Sequence, residues 1–192
     1  MTWLIILLGY ILGSLPTAYI AGRLLKGEDI RRMGDGNVGA RNAYYELGHK
    51  TGIGIFFVDV TKGALPVLIA QAASLSEVVV LIIGAATVVG HNWPIFIGFK
   101  GGRGEATTIG VFLALITQPM LILTGPVVAT LLIKKNVMIA SCVLFIPLPL
   151  VCWWLGVPGL LVAYGIALPC LVGFTHFLRT RRVVDTSGTG SA

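Results

Sequence analysis

The feature that most constrains this chain is a long stretch without formal charge, since no Asp, Glu, Lys or Arg occurs between Asn136 and Leu178. A helix needs about 20 apolar residues to cross the hydrocarbon core of a bilayer. This stretch is therefore long enough for two crossings, divided near Gly156-Val157-Pro158. Of the 192 residues, 56% are hydrophobic and 11% are charged, whereas about 25% are charged in soluble domains. A soluble domain of this size could not bury so much apolar surface, so the composition predicts an integral membrane protein.

Four other apolar runs extend the pattern: Met1–Ala21, Ile53–Ala73, Val78–Phe99 and Ala106–Ile133. The last run is too long for one crossing, and we expect it to cross twice with a turn at Thr117-Gln118-Pro119. With that turn, every segment between crossings that holds Lys or Arg lies on one side, as the positive-inside tendency favours. The prediction is an all-α membrane protein of about seven transmembrane helices, with five or six as the alternative if some segments are re-entrant. Its N-terminus is outside, and its C-terminus and short glycine-rich loops are cytoplasmic.

The chain shows one domain. Residues 1–182 are predicted to form a polytopic membrane unit, and the Ser/Thr/Gly-rich residues 183–192 a disordered tail. We attribute the net charge of +6 to membrane topology and to anionic lipids or substrates, not to nucleic acid. The three cysteines have neither metal-ligand nor CxxC spacing. No metal or nucleotide cofactor is indicated, and no oligomeric state is predicted.

A first glycine-rich loop runs from Gly34 to Asn42. It matches GxGxxG, but a dinucleotide site of that kind needs a preceding strand, and a membrane helix precedes this loop. Its glycines permit close backbone approach to a ligand and positive φ angles, and Asn37 and Asn42 add amide donors. A merely tight turn between two helices is the alternative.

A second loop, Gly98–Thr107, carries the more specific signal. Gly101, Gly102 and Gly104 stand among Lys100 and Arg103, and successive backbone N–H groups in such a loop can form an anion-binding nest. The loop then opens a helix, whose N-terminal dipole also attracts anions. We therefore predict an anion site, with phosphate as the ligand. The alternative is a basic topology loop with a flexible hinge.

Several ionisable residues lie inside or next to the apolar runs. Asp59 and Lys62 are three residues apart, so they can pair on one face of a helix, either as a structural ion pair or as a direct ligand site. His176 ends the last run, where it is either solvated or able to handle a proton or contact phosphate. We expect His91 to pack under the second glycine loop.

Known hydrolase and acyltransferase signatures are missing. The loops contain no GxSxG, HExxH or HxxxxD motif. We therefore expect any chemistry to rest on positioning and electrostatics and not on a covalent intermediate.

Taken together, these segments resemble the bacterial acyl-phosphate-dependent glycerol-3-phosphate acyltransferase family over nearly the whole chain, to about Arg182. The residues that carry the resemblance are Gly13-Ser14-Leu15-Pro16, Gly22-Arg23, Asp29-Ile30-Arg31, Gly36-Asn37-Val38-Gly39-Ala40, Asp59, Lys62-Gly63, Gly90-His91, Gly98-Phe99-Lys100-Gly101-Gly102, Gly104 and Ala106-Thr107. The resemblance implies a multi-pass enzyme of the bacterial inner membrane. It would transfer an acyl group from acyl phosphate to sn-glycerol 3-phosphate, giving lysophosphatidic acid and phosphate for phospholipid biosynthesis.

The resemblance also implies site residues. It assigns catalytic roles to His176, Arg103 and Asn37. It assigns substrate or phosphate binding to Gly34, Gly36, Gly39, Arg41, Asn42, Lys62, Lys100, Gly101, Gly102 and Gly104. As a hypothesis, the donor's own phosphate accepts the proton of the attacking hydroxyl.

Some positions depart from the family pattern. The family usually has Ser at Asp35, Thr at Arg41, Arg at or near Tyr45, Lys at Arg103 and Asn at Arg179. Asp35 brings a carboxylate toward a site meant for anions, and Arg41 could pair with it or replace the charge lost at Tyr45. Two alternatives therefore stay open: a diverged paralogue that uses another acceptor or only binds lipid or acyl phosphate, and a small anion transporter.

Overall fold

The computed structural model describes the backbone of residues 2–188 and the side chains of residues 2–179. Within that part every regular element is helical. The α-helices are α1 (Thr2–Gly13), α2 (Thr17–Lys26), α3 (Ala40–Glu46), α4 (His49–Ala72), α5 (Glu77–Asn92), α6 (Glu105–Leu115), α7 (Thr117–Lys134), α8 (Val137–Phe145), α9 (Leu148–Trp154) and α10 (Gly159–Gly188). Two short 3-10 turns, Ile30–Arg32 and Ile95–Ile97, lie in the loops.

Six helical segments of the described residues are long and apolar enough to cross a membrane: Thr2–Lys26, His49–Ala72, Glu77–Ile97, Thr117–Lys134, Val137–Trp154 and Gly159–Arg179. The short helix α6 lies where the seventh crossing was predicted, but it is too short to cross the bilayer by itself. The fold class is therefore confirmed, with seven as an approximate count. The last apolar run divides at Leu155–Pro158, as predicted, and the break between α6 and α7 falls at Ile116, next to the predicted turn.

The first span is interrupted, which the sequence analysis did not predict. Helix α1 ends at Gly13 and α2 begins at Thr17, because Pro16 lacks a backbone N–H and its ring obstructs a continuous helix. The interruption frees the carbonyl of Leu15, which accepts a hydrogen bond of 2.9 Å from the ammonium of Lys62. Thr17 donates from its hydroxyl to Asp59 at 3.1 Å. A polar break in one helix is thus matched by charged side chains in α4.

Helix α6 is about half as long as a full span, since its 11 residues rise about 16 Å at 1.5 Å each. It packs closely against the second half of α4. A Cβ at Gly63 would overlap the carbonyl of Thr107, and one at Gly110 would overlap the carbonyl of Val60. The close approach depends on these small residues, as in other membrane helix pairs. Consequently α6 begins beside the middle of α4, and the second glycine loop enters the helix bundle to reach it.

Helices α1 and α5 form a second close pair, because a Cβ at Gly13 would overlap the backbone of Thr87 and one at Gly90 the carbonyl of Tyr10. The apolar core extends from these helices into the later ones through fully buried side chains such as Ile83, Phe112 and Leu148. Helices α8, α9 and α10 pack more openly and leave a groove beside the loops.

The predicted tail begins at residue 183, and α10 is helical as far as Gly188. Residues 189–192 lie outside the described residues. The division into a membrane domain and a disordered tail stays a prediction.

Candidate active site

The first glycine loop is organised by the side chain of Asn42, which is buried. Its amide nitrogen lies 3.0–3.3 Å from the carbonyl oxygens of Ile30, Met33 and Asn37 and donates to them. Its Oδ1 accepts a 3.2 Å hydrogen bond from the backbone N–H of Asp35. Asn42 therefore holds the loop together from inside, which gives this predicted substrate-binding residue a structural function.

The three glycines predicted to bind substrate in this loop have different reasons to be glycine. Gly34 and Gly36 have φ angles of 53° and 69°, which a residue with a Cβ rarely adopts. Gly39 is extended, but a Cβ there would lie 2.8 Å from the amide nitrogen of Asn37. The Oδ1 of Asn37 is buried without a hydrogen-bond partner among the described residues. Space for the Asn37 side chain is thus provided by Gly39.

The segment before this loop is fixed by Asp29 and Arg31. The guanidinium of Arg31 donates to both carboxylate oxygens of Asp29, at 2.7–3.1 Å, and to the carbonyl of Ile97 at 2.9 Å. These hydrogen bonds hold the pKa of the Asp29 carboxyl below its ordinary value. The same guanidinium therefore connects the first loop to the second.

The second glycine loop packs directly on His91, as predicted. The N–H of Gly102 donates to the carbonyl of His91 at 3.0 Å, and the N–H of Gly101 donates to that of Asn92 at 3.2 Å. A Cβ at Gly102 would overlap the imidazole of His91. The N–H groups of both glycines are therefore already engaged, and neither belongs to an anion nest. The backbone donors left for an anion include those of the first turn of α6, which follows Gly104 and has no side-chain cap.

Arg179, on α10, fastens this loop from the other side. Its guanidinium donates to the carbonyl oxygens of Gly101 and Asn92, the latter at 2.7 Å. The amide of Asn92 also donates to the hydroxyl of Thr175 at 3.1 Å. The arginine at this position therefore stabilises the backbone of the second loop through hydrogen bonds.

The side chains of Arg103, Asp35 and Arg41 meet where the two loops come together. Nη1 of Arg103 lies 3.2 Å from Oδ2 of Asp35, and Nη1 of Arg41 lies 4.0 Å from the same oxygen. The Arg41 guanidinium also lies 6.0 Å from the ring centre of Tyr45. The sequence analysis gave Arg41 two alternative roles, pairing with Asp35 or replacing the charge lost at Tyr45; Arg41 lies near both, but Arg103 is the closer partner of Asp35.

These arginines stand at one end of a groove of about 570 Å³. One end of the groove is polar and the rest is apolar. Its lining is Arg41, Arg103, Glu105, Val137, Met138, Ser141, Cys142, Phe145, Ile146, Pro149, Gly165, Ile166, Pro169, Cys170, Val172, Gly173 and His176. Three predicted site residues, Arg41, Arg103 and His176, thus line the groove. A cavity of this shape fits a molecule with an anionic head and a hydrocarbon chain.

Two polar residues of the groove were not predicted. Ser141, on α8, donates from its hydroxyl to the carboxylate of Glu105 at the start of α6. Glu105 lies within the second glycine-rich loop, directly after Gly104, so its position could have identified it. Ser141 lies within an uncharged run, where no pattern distinguishes it from neighbouring residues.

Lys62 lies in a separate polar cluster and does not line the groove. Its ammonium is 2.7 Å from Oδ1 of Asp59, and both side chains are buried. Nδ1 of His91 lies 3.9 Å from the same carboxylate oxygen. This geometry favours a structural ion pair over a direct ligand site. The ammonium of Lys62 already contacts the Asp59 carboxylate and the Leu15 carbonyl at the break in the first span.

Lys100 is exposed and does not line the groove. Of the basic residues predicted to bind phosphate, only Arg41 and Arg103 are therefore brought together with His176.

A family model described as glycerol-3-phosphate acyltransferase matches residues 3–186. Glycerol-3-phosphate acyltransferase 4 of Dehalococcoides mccartyi is 50% identical over 182 residues, which cover 95% of this chain and 98% of the relative. A glycerol-3-phosphate acyltransferase of a Synechococcus strain is 36% identical over 94% of this chain and 90% of the relative.

The fold is also similar to crystal structures of PlsY (YgiH), an integral membrane glycerol 3-phosphate acyltransferase. The glycerol 3-phosphate form gives a TM-score of 0.85 at 33% identity, covering 96% of this chain and 92% of that one. The lysophosphatidic acid form gives a TM-score of 0.79 at 31% identity with the same coverage. The matches extend over both loops and all the long apolar helices, and on this evidence the chain belongs to the glycerol-3-phosphate acyltransferase family of integral membrane proteins.

Proposed function

We propose that this chain transfers the acyl group of an acyl phosphate to a hydroxyl of sn-glycerol 3-phosphate, giving lysophosphatidic acid and inorganic phosphate for phospholipid synthesis. The observation that carries the proposal is the groove, whose apolar length ends at Arg41, Arg103 and His176. Apolar walls fit an acyl chain, and guanidinium groups fit the phosphates of donor and acceptor. Relatives across the whole chain are named for this acceptor.

The reaction needs no covalent intermediate on the protein. The acceptor oxygen attacks the acyl carbonyl carbon, the bond from that carbon to the phosphate oxygen breaks, and phosphate leaves with the electron pair. The leaving phosphate takes the hydroxyl proton, so atoms and charges balance. The protein orients two anions and stabilises the charge that develops between them.

Arg103 is the residue we assign to phosphate contact in this step. It lines the groove with a side chain 18% exposed, so solvent screens its charge only in part. His176 lines the same groove, and we assign it to phosphate contact as well. Asn37 supports the first loop, and the first turn of α6 adds its backbone N–H groups and helix dipole.

We place the protein in the bacterial inner membrane with the N-terminus outside. The support is the distribution of Lys and Arg: every segment between the predicted spans that holds one of these residues falls on the same side. Membrane lipids surround the helices, and the acyl donor reaches the groove on the cytoplasmic side. Cysteine labelling of intact cells at Ser74 and at Lys135 tests this orientation, and labelling of the Lys135 position alone would contradict it.

A second candidate function is acyl transfer to another acceptor. The observation behind it is Asp35, whose carboxylate lies 3.2 Å from Arg103 and opposes a phosphate there.

Reconstituted protein tests these functions directly. We expect palmitoyl phosphate to release phosphate and form lysophosphatidic acid only when glycerol 3-phosphate is present. Acceptor-independent phosphate release, or none from protein that binds palmitoyl phosphate, would favour the second function.

Variants then test the roles of the side chains. Arg103→Gln should lower kcat/KM by about a hundredfold or more, the scale of losing one donor to a developing charge. Lys134→Gln removes one positive charge at an exposed site outside the groove and should have no effect. His176→Ala that retains turnover supports proton transfer to the donor's phosphate, whereas complete loss of turnover in a folded variant contradicts it.

A further inference from the structure

We propose that the carboxylate of Asp35 competes with phosphate for Arg103, and that a phosphate ester binds there only by displacing Asp35 toward Arg41. Asp35 would then set the substrate affinity of the site. This inference rests on the proposed function, because it concerns the same guanidinium.

The geometry shows a carboxylate already seated where an anion is needed. Oδ2 of Asp35 lies 3.2 Å from Nη1 of Arg103, and Oδ1 accepts a 3.1 Å hydrogen bond from the backbone N–H of Asn37. Both oxygens are therefore engaged, one by a charge and one by the loop. A phosphate that approached Arg103 without moving Asp35 would meet a like charge at close range.

The pair leaves Arg103 incompletely satisfied. Its Nε is buried and has no hydrogen-bond partner among the described residues, so the carboxylate uses only one edge of the guanidinium. A buried donor without a partner costs free energy. A phosphate can accept from two nitrogens of one guanidinium at once, so it can satisfy Arg103 better than Asp35 does. The arrangement therefore favours exchange over a permanent ion pair.

Arg41 provides the place to which Asp35 moves. Its Nη1 is already 4.0 Å from Oδ2 of Asp35, and its side chain is 50% exposed, so it is free to follow the carboxylate outward. After the exchange, Arg103 pairs with phosphate and Arg41 with Asp35. The Asp35 carboxylate therefore keeps a cationic partner, and the free energy of phosphate binding is reduced by the cost of breaking the pair between Asp35 and Arg103.

Inorganic phosphate is the probe that tests this without any turnover. Titration calorimetry on lipid-reconstituted protein should show that Asp35→Asn binds phosphate about fivefold more tightly, which corresponds to about 1 kcal/mol. Glu28→Gln is the matched control, because it removes one exposed carboxylate from the same inter-helix segment and should leave the affinity unchanged. Asp35→Ser should repeat the effect, which guards against a folding defect in one variant.

A double-mutant cycle tests the displacement itself. Arg41→Gln should weaken phosphate binding when Asp35 is present, and it should have a smaller effect in the Asp35→Asn background. Equal effects in the two backgrounds would overturn the displacement toward Arg41. Unchanged or weaker phosphate binding by folded Asp35→Asn and Asp35→Ser would overturn the competition, since Asp35 would then position Arg103.

Steady-state kinetics identify which phosphate uses Arg103. In Asp35→Asn we expect KM to fall for glycerol 3-phosphate, for palmitoyl phosphate or for both, and a fall for neither would contradict the proposal. If the wild-type protein has no turnover but Asp35→Asn still binds phosphate more tightly, the proposed function fails and the competition at Arg103 survives.

Discussion

The glycine-packed part of the molecule (α1, α4, α5 and α6) and the groove part (α8 to α10) use glycine in opposite ways. In the first, a Cβ at Gly13, Gly63 or Gly110 would overlap the backbone of the facing helix. In the second, a Cβ at Gly165 or Gly173 would meet nothing within 4 Å. Close backbone contact makes one part rigid, and open packing leaves room in the other for a variable apolar ligand. The charged site lies where the two parts meet.

The largest expected effect comes from the buried ion pair of the glycine-packed part. Asp59→Asn removes the negative charge beside the buried ammonium of Lys62 and leaves it only neutral acceptors, the new amide oxygen and the Leu15 carbonyl. Removing one partner of such a pair costs about 3–5 kcal/mol, so we expect little folded protein after extraction in detergent. Size-exclusion chromatography and thermal unfolding measure this.

The double variant Asp59→Asn with Lys62→Met is the control for that experiment. It removes the uncompensated charge and should recover part of the lost stability. A double variant as unstable as Asp59→Asn alone would show that the ion pair is not the cause.

A smaller effect distinguishes the glycines of the two parts. Gly63→Ala forces a methyl group against the Thr107 carbonyl and should lower the free energy of unfolding by about 1–3 kcal/mol. Gly165→Ala adds the same group in open space and should be neutral or raise stability by about 0.5–1 kcal/mol. Equal shifts in the thermal midpoints of the two variants would remove the distinction between the parts.

Substituting a glycine of the groove part should change the preference for acyl-chain length, although it has little effect on stability. Gly165→Leu fills part of the groove and should raise KM for palmitoyl phosphate about tenfold relative to decanoyl phosphate, since each buried methylene is worth about 0.8 kcal/mol. Gly54→Leu, which adds the same side chain in open space outside the groove, should leave this ratio unchanged. A ratio altered equally by both variants would argue against acyl binding in the groove.

The smallest effect concerns Asp29 and Arg31, which connect the two loops. Because the folded-state pKa of Asp29 is lowered by Arg31, the stabilisation is complete above the unfolded-state pKa of about 4. It is lost as the pH falls through the folded-state pKa. Asp29→Asn should therefore lower the thermal midpoint slightly at pH 7 and match the wild type at the lowest pH. A constant difference across the pH range would contradict this explanation.

The features that a lipid environment requires of a chain could be predicted from the sequence. Crossings such as those on either side of Gly156-Val157-Pro158 follow from length and charge, and the Asp59–Lys62 pair follows from helical spacing. The break after Gly13 was not predicted, because hydropathy averages over it.

The direction in which a polar group points was harder to predict from the sequence than the loop in which it lies. Gly101 and Gly102 have the composition of an anion nest, yet their N–H groups donate to the carbonyls of Asn92 and His91. Asn42 has the right chemistry to bind substrate but holds the loop. Residue type and spacing specify which groups are present, whereas tertiary contacts decide where each one points.

The contact between Arg179 and the second loop also affects the order in which the protein is completed. The guanidinium comes from the last helix and reaches carbonyls 78 and 87 residues earlier in the chain. Synthesis proceeds from the N-terminus. The ribosome has therefore made the whole second loop before it makes Arg179, whose guanidinium donates to it. The loop therefore reaches its final geometry only when the last helix has entered the membrane, and a chain interrupted before that point would lack these two hydrogen bonds to the loop.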